Sequence, residues 1–423
     1  MKLSAQIKNL LVFALIGETI CVSYALYMPS FARTISVLYT FAGIAIGVGL
    51  LWVHPSKPIT SAHPKYHAFP SLFYQPIYRY RWLVMGIVLI AMCYFGIKWM
   101  EDAPLNYKDA DMLPIIQTMC HRALIGNWSN IYDPIPEIWG GITPIYLPAM
   151  WLPFCFPEWL HFDIRWLTIL SLFIVFCIFL WKVHPLQKQA FPLLLSCFLL
   201  FWWIFTNEKS GLIPYTEEGI VILYYAFLVY ALTTRKAWLV GIAASFCVLS
   251  RYALIGWLPV MIVYFIYLKD WKRLIQFIIA GIACFVLLVL IPFGWHIFRN
   301  LFMLPSEYIA FAARVWHDAA HVFMESLGWA KFFGPGRIAL LHYLLISLSF
   351  IIPMAYLIVV LGQQKKYYFT ETGIMLSSLK ITLVVFYSLI DVPYLYLFYT
   401  SSFVSLLGLA YFFQTKQSSK TLG

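Results

Sequence analysis

Charged residues are scarce in this chain. Asp, Glu, Lys and Arg make up 11% of its 423 residues, against about 25% in an ordinary soluble domain. Hydrophobic residues reach 62%, where about 45–50% is usual. Because so few charges cannot solvate the surface of so apolar a chain, a soluble fold is excluded. The composition predicts an all-α integral membrane protein in which residues 1–423 form a single transmembrane domain.

Several familiar motifs are also missing from the sequence. There is no Cys-x-x-Cys pair, and most of the eight cysteines lie inside apolar runs, where they act as small hydrophobic residues. There is no glycine-rich nucleotide-binding loop, no long internal repeat and no low-complexity linker. The apolar run from about Leu10 to Met28 is too long for a signal-peptide core and lacks a small-residue cleavage site, so a retained first span is expected.

Apolar runs predict about twelve transmembrane helices. They lie near 8–27, 35–53, 82–100, 164–181, 190–206, 219–234, 238–250, 253–268, 274–292, 338–361, 373–390 and 394–413. The net charge of +11 comes from basic residues in short loops, which is an orientation signal and not a nucleic-acid site. With a cytoplasmic N-terminus, about seventeen of the twenty-nine Lys and Arg fall on the cytoplasmic side. We therefore expect a multi-pass protein of a bacterial inner (plasma) membrane, with both termini cytoplasmic.

Two long connections remain on the outer face, at 101–163 and 293–337, and loops of that length are usually functional. Within the first, the apolar stretch 143–157 is broken by four prolines. Irregular backbone at membrane depth is tolerated only where protein or water covers it, so this stretch is predicted to be re-entrant and to line a cavity. The alternative is a true span, offset by merging two short spans around 238–268.

The first outer loop also contains an amphipathic pattern. Apolar residues recur at helical spacing from Met112 to Ala123, which predicts a helix lying on the membrane surface. Asp109 and Asp111 stand just before it. Carboxylates there either cap the helix dipole or, beside an apolar surface, have a raised pKa and act as a base. Position alone does not separate these two interpretations.

The motifs of this loop resemble those of a known family. Asp111 precedes the ALIG that ends at Gly126, followed by IYDP at Ile131–Pro134 and TPIYLPAMWLPF at Thr143–Phe154. This order resembles the first outer loop of GT-C-fold glycosyltransferases, most closely the polyprenyl-phosphate-mannose-dependent α-mannosyltransferases. The segment Gly241–Pro259 resembles the middle helix pair of those enzymes.

The resemblance implies a GT-C-like fold and a specific chemistry. An aspartate of the first outer loop, Asp111 with Asp109 in reserve, would be the general base on an acceptor hydroxyl. The sugar would come from a polyprenyl-phosphate sugar donor, and the acceptor would be a lipid-linked or cell-envelope glycan, both held among membrane lipids. Neither a cofactor nor a metal is expected.

A leaving phosphate requires cations at the outer surface. The candidates for binding the donor phosphate are Arg251, Arg122, Arg314, His317, His321, Arg299 and His296. A snorkelling arginine that anchors a helix end is the alternative for Arg251. The second outer loop is predicted to contain an amphipathic helix, and within 306–333 Arg314, His317, Asp318, His321 and Glu325 fall on one helical face. A plain solvated helix, or a divalent metal at the two histidines, are the alternatives there.

Glu217, Glu218 and Tyr146 are the candidates for binding acceptor hydroxyls, with dipole capping as the alternative for the two glutamates. Glu18, inside the first span, is expected to face the interior and hydrogen-bond a neighbour. Two other functions fit the pattern: a transporter or flippase for a lipid-linked sugar, and a non-catalytic subunit of an envelope-assembly complex. Polar residues in long outer loops, rather than near the midplane of paired half-repeats, favour the enzyme.

Overall fold

The computed structural model describes residues 5–52, 77, 79–108, 111–138, 141–183, 190–364, 366–367 and 369–413, without the side chains of 5, 296, 299–305 and 412. Within these ranges the chain has fourteen helices of ten or more residues. They are α1 Ala5–Tyr24, α2 Ala32–Trp52, α3 Arg81–Asp102, α4 Met112–Leu124, α5 Arg165–Lys182, α6 Ala190–Thr206, α7 Glu218–Thr234, α8 Ala237–Ser250, α9 Trp257–Tyr267, α10 Trp271–Phe285, α11 Ile297–Asp318, α12 Ile338–Gln363, α13 Glu371–Leu389 and α14 Leu397–Phe413.

Each of the twelve predicted apolar runs coincides with one of these helices, and α4 and α11 are the two additional ones. In the described residues there is no β-strand, only an isolated bridge between Ile135 and Ile142. Seven helical stretches, containing α1, α2, α3, α5, α10, α12 and α13, are long and apolar enough to cross a membrane, whereas α6, α7, α8, α9 and α14 are apolar but shorter. The all-α class is therefore confirmed, and twelve crossings stay a prediction.

Burial separates an inner group of helices from an outer one. In α13, 89% of the apolar window is buried inside the protein, and α7 and α14 are also largely buried. The window of α3 is only 17% buried, and α10 and α12 expose many large aliphatic side chains. Because exposed apolar side chains on long apolar helices suit a lipid environment, α3, α10 and α12 form the lipid-facing periphery around α7, α13 and α14.

Small residues allow the central helices to approach closely. A Cβ atom added to Gly43 or Gly47 of α2 would lie 2.5 Å from Val384 or 2.8 Å from Ile381 of α13. At the start of α9, a Cβ on Gly256 would lie only 1.9 Å from the carbonyl oxygen of Ser349 in α12. Close backbone approach at small residues is the usual way in which membrane helices pack. Gly256 therefore fixes the distance between α9 and α12.

The proline-rich stretch of the first outer loop has no long helix. It runs as extended chain to Leu147, then as the short helix Pro148–Trp151, a 3₁₀ turn and the short helix Cys155–Trp159. All four residues of Pro148–Trp151 are buried, so protein covers the irregular backbone. The re-entrant placement of this stretch in a membrane stays a prediction.

The second outer loop contains a long helix, α11, but departs from the expectation that Arg314, His317, Asp318, His321 and Glu325 share one helical face. The helix α11 ends at Asp318, and a separate short helix spans His321–Glu325. The rings of Trp316 and Phe323 stack with centroids 4.0 Å apart and planes at 11°. Since seven residues of straight helix rise about 10.5 Å, that stack requires the chain to turn back between the two rings. The prediction of one continuous polar face was therefore wrong.

Candidate functional site

A cavity of about 870 Å³ lies at the end of the bundle where the two long outer connections meet three shorter ones. Its walls come from the first outer loop, from 209–217, 250–255 and 390–397, from the second outer loop and from one face of α12. Ionisable side chains in these walls are Asp111, Lys209, Glu217, Arg251, Glu307, Arg314, His321, Glu325, His342 and Asp391. All of these segments except α12 itself were predicted to lie on one side of the membrane.

Asp111 stands at the N-cap position of α4 and lines the cavity. Its side chain makes no capping hydrogen bond, so the position is that of a cap while the carboxylate faces the site. Burial raises the pKa of Asp111, and the nearby backbone N–H groups of Asp111 and Met112 partly offset this. A half-buried carboxylate with a raised pKa is suited to accept a proton from a bound hydroxyl.

Arg251 is held between two carboxylates at the start of α7. Its Nη2 lies 3.2 Å from Glu217 Oε1 and 2.6 Å from Glu218 Oε2, and the exposed fractions of the three side chains are 13%, 1% and 0%. Glu218 also accepts a hydrogen bond from Thr400 and does not line the cavity. The two glutamates thus hold the arginine, and the charge of Arg251 is already compensated before any ligand binds.

Three atoms of this ion cluster have no hydrogen-bond partner among the described residues: Nε of Arg251, Oε2 of Glu217 and Oε2 of Glu218. The last of these still lies 2.6 Å from the arginine's Nη2. Arg251 and Glu217 line the cavity. Arg251 therefore retains one donor, and Glu217 one acceptor, for a ligand in the cavity.

The basic residues of the second outer loop separate into two groups. Arg314 and His321 line the cavity, and Arg314 has no ion-pair partner in the described part of the chain. The side chain of His317 is 89% exposed, lies outside the cavity, and is paired with Asp318 at 2.6 Å. The histidine pair is therefore split by the helix break, and the described residues contain no His, Cys, Asp or Glu cluster that could hold a metal.

Arg122 has a structural task. Its guanidinium donates hydrogen bonds to the carbonyl oxygens of Asn130, Ile131, Asp133 and Pro134, at 3.0, 3.2, 2.7 and 3.2 Å. It does not line the cavity. The arrangement fixes the turn at 130–134, and we do not retain Arg122 as a phosphate ligand.

Three of the predicted site residues cannot be placed. Asp109 lies outside the described residues, and so do the side chains of His296 and Arg299. The structure therefore neither adds these three groups to the cavity nor removes them from it.

Tyrosines surround the carboxylates of the cavity. Burial raises the pKa of Tyr146 well above its usual value, and the nearby charges of Asp111 and Glu217 raise it further. The ring of Tyr394 stacks on that of Tyr396 at 5.4 Å, and the Tyr396 hydroxyl donates to the Met112 sulfur at 3.0 Å. Rings with hydroxyl groups around a cavity can both stack on a sugar and hydrogen-bond it.

One pair of site residues was missed by the sequence analysis. His342 Nδ1 lies 2.6 Å from Asp391 Oδ2, and both buried residues line the cavity. The two are separated by 49 residues, at the start of one apolar run and in the short gap between two others. An ionisable residue inside a predicted span was the available signal, because such residues are costly unless they have a function or a neighbour of opposite charge.

From His342 towards the C-terminal end of α12, the cavity continues along this helix. Leu345, Ile346, Ser349 and Phe350 line it at spacings of three, four, seven and eight residues from the histidine, which places all of them on one helix face. From His342 to Phe350 this helix face is about 12 Å long. Ile346 is 42% exposed, so the strip reaches the lipid-facing surface of the bundle. We call these four residues the α12 strip.

No protein-family model, curated protein or solved structure matches this chain. Function must therefore be inferred from the residues of the cavity themselves.

Proposed function

We propose that this chain is a membrane glycosyltransferase that moves a sugar, mannose or a similar hexose, from a polyprenyl-phosphate sugar to a hydroxyl group of a lipid-linked or cell-envelope glycan. The observation that carries the proposal is that one cavity combines the Asp111 carboxylate, basic side chains and the apolar α12 strip. A base, an anion site and a lipid groove are the three requirements of this reaction.

Asp111 is the general base of the proposed reaction. Its carboxylate accepts the proton of the acceptor hydroxyl as that oxygen attacks the anomeric carbon from the side opposite the phosphate, which inverts the configuration. The raised pKa of Asp111 supports this role, because a base is most effective when its pKa approaches the working pH. Asp109 is the reserve candidate for the base.

The α12 strip is the proposed site of the donor's polyprenyl chain. A lipid substrate reaches its enzyme from within the bilayer, and the strip joins the cavity to an exposed apolar surface. The tail would lie along Leu345, Ile346 and Phe350, which places the phosphate near the N-terminal end of α12.

The donor phosphate must sit beside a local group of cations, because the cavity walls hold five Asp and Glu against three Lys and Arg. Arg314 and His321, both from the second outer loop, are the proposed ligands. Arg251 is proposed to contribute its remaining Nε donor while Glu217 and Glu218 fix its position. The acceptor sugar would bind among Tyr146, Tyr394 and Tyr396.

The proposal includes a GT-C-like arrangement of about twelve crossings in a bacterial inner (plasma) membrane, with both termini cytoplasmic and the cavity on the outer side. Fusing a reporter that is active only in the cytoplasm to the C-terminus tests the orientation. Fluorescence of a C-terminal fusion supports it, and a dark fusion on a stable protein contradicts it.

Glycosyl transfer is tested directly with the purified full chain in lipid nanodiscs, using radiolabelled polyprenyl-phosphate sugars and host membrane lipids as acceptors. Wild type is compared with Asp111→Asn, Asp109→Asn and, as a control from the same loop, the exposed Asp133→Asn. Loss of a general base lowers the rate by about 10²- to 10⁴-fold. We expect that loss for Asp111→Asn and none for Asp133→Asn, with folding monitored by thermal unfolding.

Other outcomes point to other functions. Loss of transfer in Asp109→Asn alone would assign the role of general base to Asp109 instead of Asp111. Absence of transfer by wild type across the panel, together with movement of lipid-linked sugar between leaflets in proteoliposomes, replaces the enzyme by a flippase. Transfer is also expected to persist in excess chelator, and its abolition there would establish a metal requirement.

A further inference from the structure

His342 and Asp391 form a buried pair in the wall of the cavity. The Nδ1 to Oδ2 distance is 2.6 Å, and the two side chains are 7% and 6% exposed. His342 stands in the second turn of α12, and Asp391 lies in the connection between α13 and α14. A carboxylate on Nδ1 fixes the orientation of an imidazole and stabilises its doubly protonated form.

Each residue of this pair keeps one polar atom without a hydrogen-bond partner among the described residues. These atoms are His342 Nε2 and Asp391 Oδ1, and both are buried. Buried polar atoms are nearly always hydrogen-bonded in folded proteins. Since Nδ1 is engaged with Asp391, Nε2 is the ring atom that remains to serve a bound molecule.

The position of His342 on α12 indicates which molecule that is. The α12 strip begins one turn below the histidine and runs on the same helix face. A ligand with its polar head at His342 and its apolar tail along the strip satisfies both parts of the wall. A phosphate on a long lipid chain has this form.

The surrounding ionisable groups come from several elements. The second outer loop contributes Glu307, Tyr308, Arg314, His321 and Glu325 to the cavity. Tyr308 is within electrostatic range of Asp391, Arg251 and Glu217. Arg251, Glu217 and Glu218 form what we call the Arg251 cluster. The His342–Asp391 pair therefore belongs to the same electrostatic site as this cluster, although a different part of the chain supplies the pair.

We propose that His342, held by Asp391, binds the phosphate of the lipid donor through Nε2–H and protonates the oxygen that departs from the sugar. This inference rests on the proposed glycosyl transfer and assigns a second proton-handling group to it. Asp391 is a positioning residue, since it acts through the imidazole.

The proposed step balances as follows. The acceptor oxygen forms a bond to the anomeric carbon and gives its proton to Asp111. The bond between that carbon and the phosphate oxygen breaks, and its electron pair stays on the oxygen. That oxygen takes the Nε2 proton, while the Nδ1 proton remains shared with Asp391. Proton exchange with water then restores both groups.

The test measures binding of a long-chain polyprenyl phosphate to the full chain in nanodiscs between pH 5 and 8, the range in which histidine side chains of proteins commonly change charge. The variants are His342→Gln, Asp391→Asn and, as a matched control, Asp318→Asn, which alters an exposed His–Asp pair with the same 2.6 Å separation. Inorganic phosphate serves as competitor. Because the lipid phosphate ionises again near pH 6, affinities are compared as ratios to His342→Gln.

We expect wild type to bind about tenfold more tightly than His342→Gln at low pH, and this advantage to vanish as the pH rises and the imidazolium is lost. In Asp391→Asn the advantage over His342→Gln should be smaller, because a neutral amide holds and stabilises the imidazolium less. Asp318→Asn should match wild type. Inorganic phosphate should compete only at far higher concentration, because it lacks the tail.

Two outcomes overturn the inference. One is a ratio of wild type to His342→Gln that is near one at every pH in folded protein. The other is equal competition by inorganic phosphate, which would assign the site to free phosphate. If the protein binds lipid phosphate through His342 but moves no sugar, the proposed glycosyl transfer fails. In that case the binding role of His342 stands, and its role in protonating the leaving oxygen falls. Sugar transfer with an unaltered pH profile in folded His342→Gln would remove only the role of His342.

Discussion

Glu18 and Lys380 form an ion pair of 2.6 Å although 362 residues separate them and neither side chain is exposed. Lys380 Nζ also donates to the carbonyl and hydroxyl oxygens of Ser401, at 3.0 and 2.7 Å. The pair therefore joins α1, α13 and α14 in the centre of the bundle. The expectation that Glu18 faces inward and hydrogen-bonds a neighbour is confirmed.

Removing one member of this pair should destabilise the protein strongly. A single Lys380→Met or Glu18→Gln change leaves one buried group without its counterion, which costs about 3–5 kcal/mol. The double variant should lose less than the sum, because no uncompensated charge remains. Unfolding midpoints in detergent measure this, and single variants as stable as wild type would contradict it.

The pH dependence of transfer should report on Asp111. The base is active as the carboxylate, so the rate should fall as the pH drops through the pKa of Asp111. Because burial raises that pKa, the half-maximal point should lie above the ordinary value of 3.8. The acid limb of a rate profile tests this, with Asp111→Asn expected to lack the limb. A limb that persists in that variant would assign the titration to another group.

The Arg251 cluster gives a ranking of stabilities. Arg251→Met leaves two buried carboxylates without a cation and should cost about 3–5 kcal/mol. Glu217→Gln should cost less, because Glu218 keeps its closer contact of 2.6 Å to the arginine. Arg314→Met is the control for loss of an arginine in the same cavity, and should change stability by under about 1 kcal/mol. Unfolding in detergent measures all three, and a reversed order would contradict the observed pairing.

Gly256 should not tolerate a side chain. Alanine there places a Cβ atom 1.9 Å from the Ser349 carbonyl oxygen, so α9 must move away from α12. Overpacking of this kind costs about 1–3 kcal/mol. Since Ser349 belongs to the α12 strip, lipid-phosphate affinity should fall as well. The control is Gly336→Ala, where nothing lies within 4 Å of the added Cβ atom. Equal unfolding temperatures for the two variants would refute the proposed tight contact.

The sequence predicted the helices well because hydrophobic length dominates their formation. Each apolar run coincides with a helix, and the helix predicted in the first outer loop, α4, begins at Met112 as expected. The helix break after Asp318 was not predictable from local sequence, because Asp-Ala-Ala-His contains no proline or glycine. The break accompanies a tertiary contact, the stacking of Trp316 on Phe323.

The candidate site was only partly predictable for a similar reason. Asp111, Arg251, Arg314, His321, Glu217 and Tyr146 all line the cavity. Which residues pair with one another depends on tertiary packing, so spacing along the chain could reveal neither the Arg251 cluster nor the contact between His342 and Asp391. His317 and Arg122 were predicted to bind the donor phosphate but lie outside the cavity. A helical face predicted from sequence does not specify which part of the protein lies opposite it.

The four hydrogen bonds of Arg122 constrain the arginine side chain more than the side chains of the residues that accept them. All of its acceptors are main-chain carbonyls, which every amino acid provides. These bonds therefore place no demand on the side chains at 130–134, although Ile131 is buried and the Tyr132 hydroxyl donates to the carbonyl oxygen of Tyr146. Arg122 itself is constrained, because lysine lacks the planar, forked donor group that reaches several carbonyls at once. Among homologues the arginine should therefore vary less than the exposed Asn130, which contributes only its carbonyl oxygen to this contact.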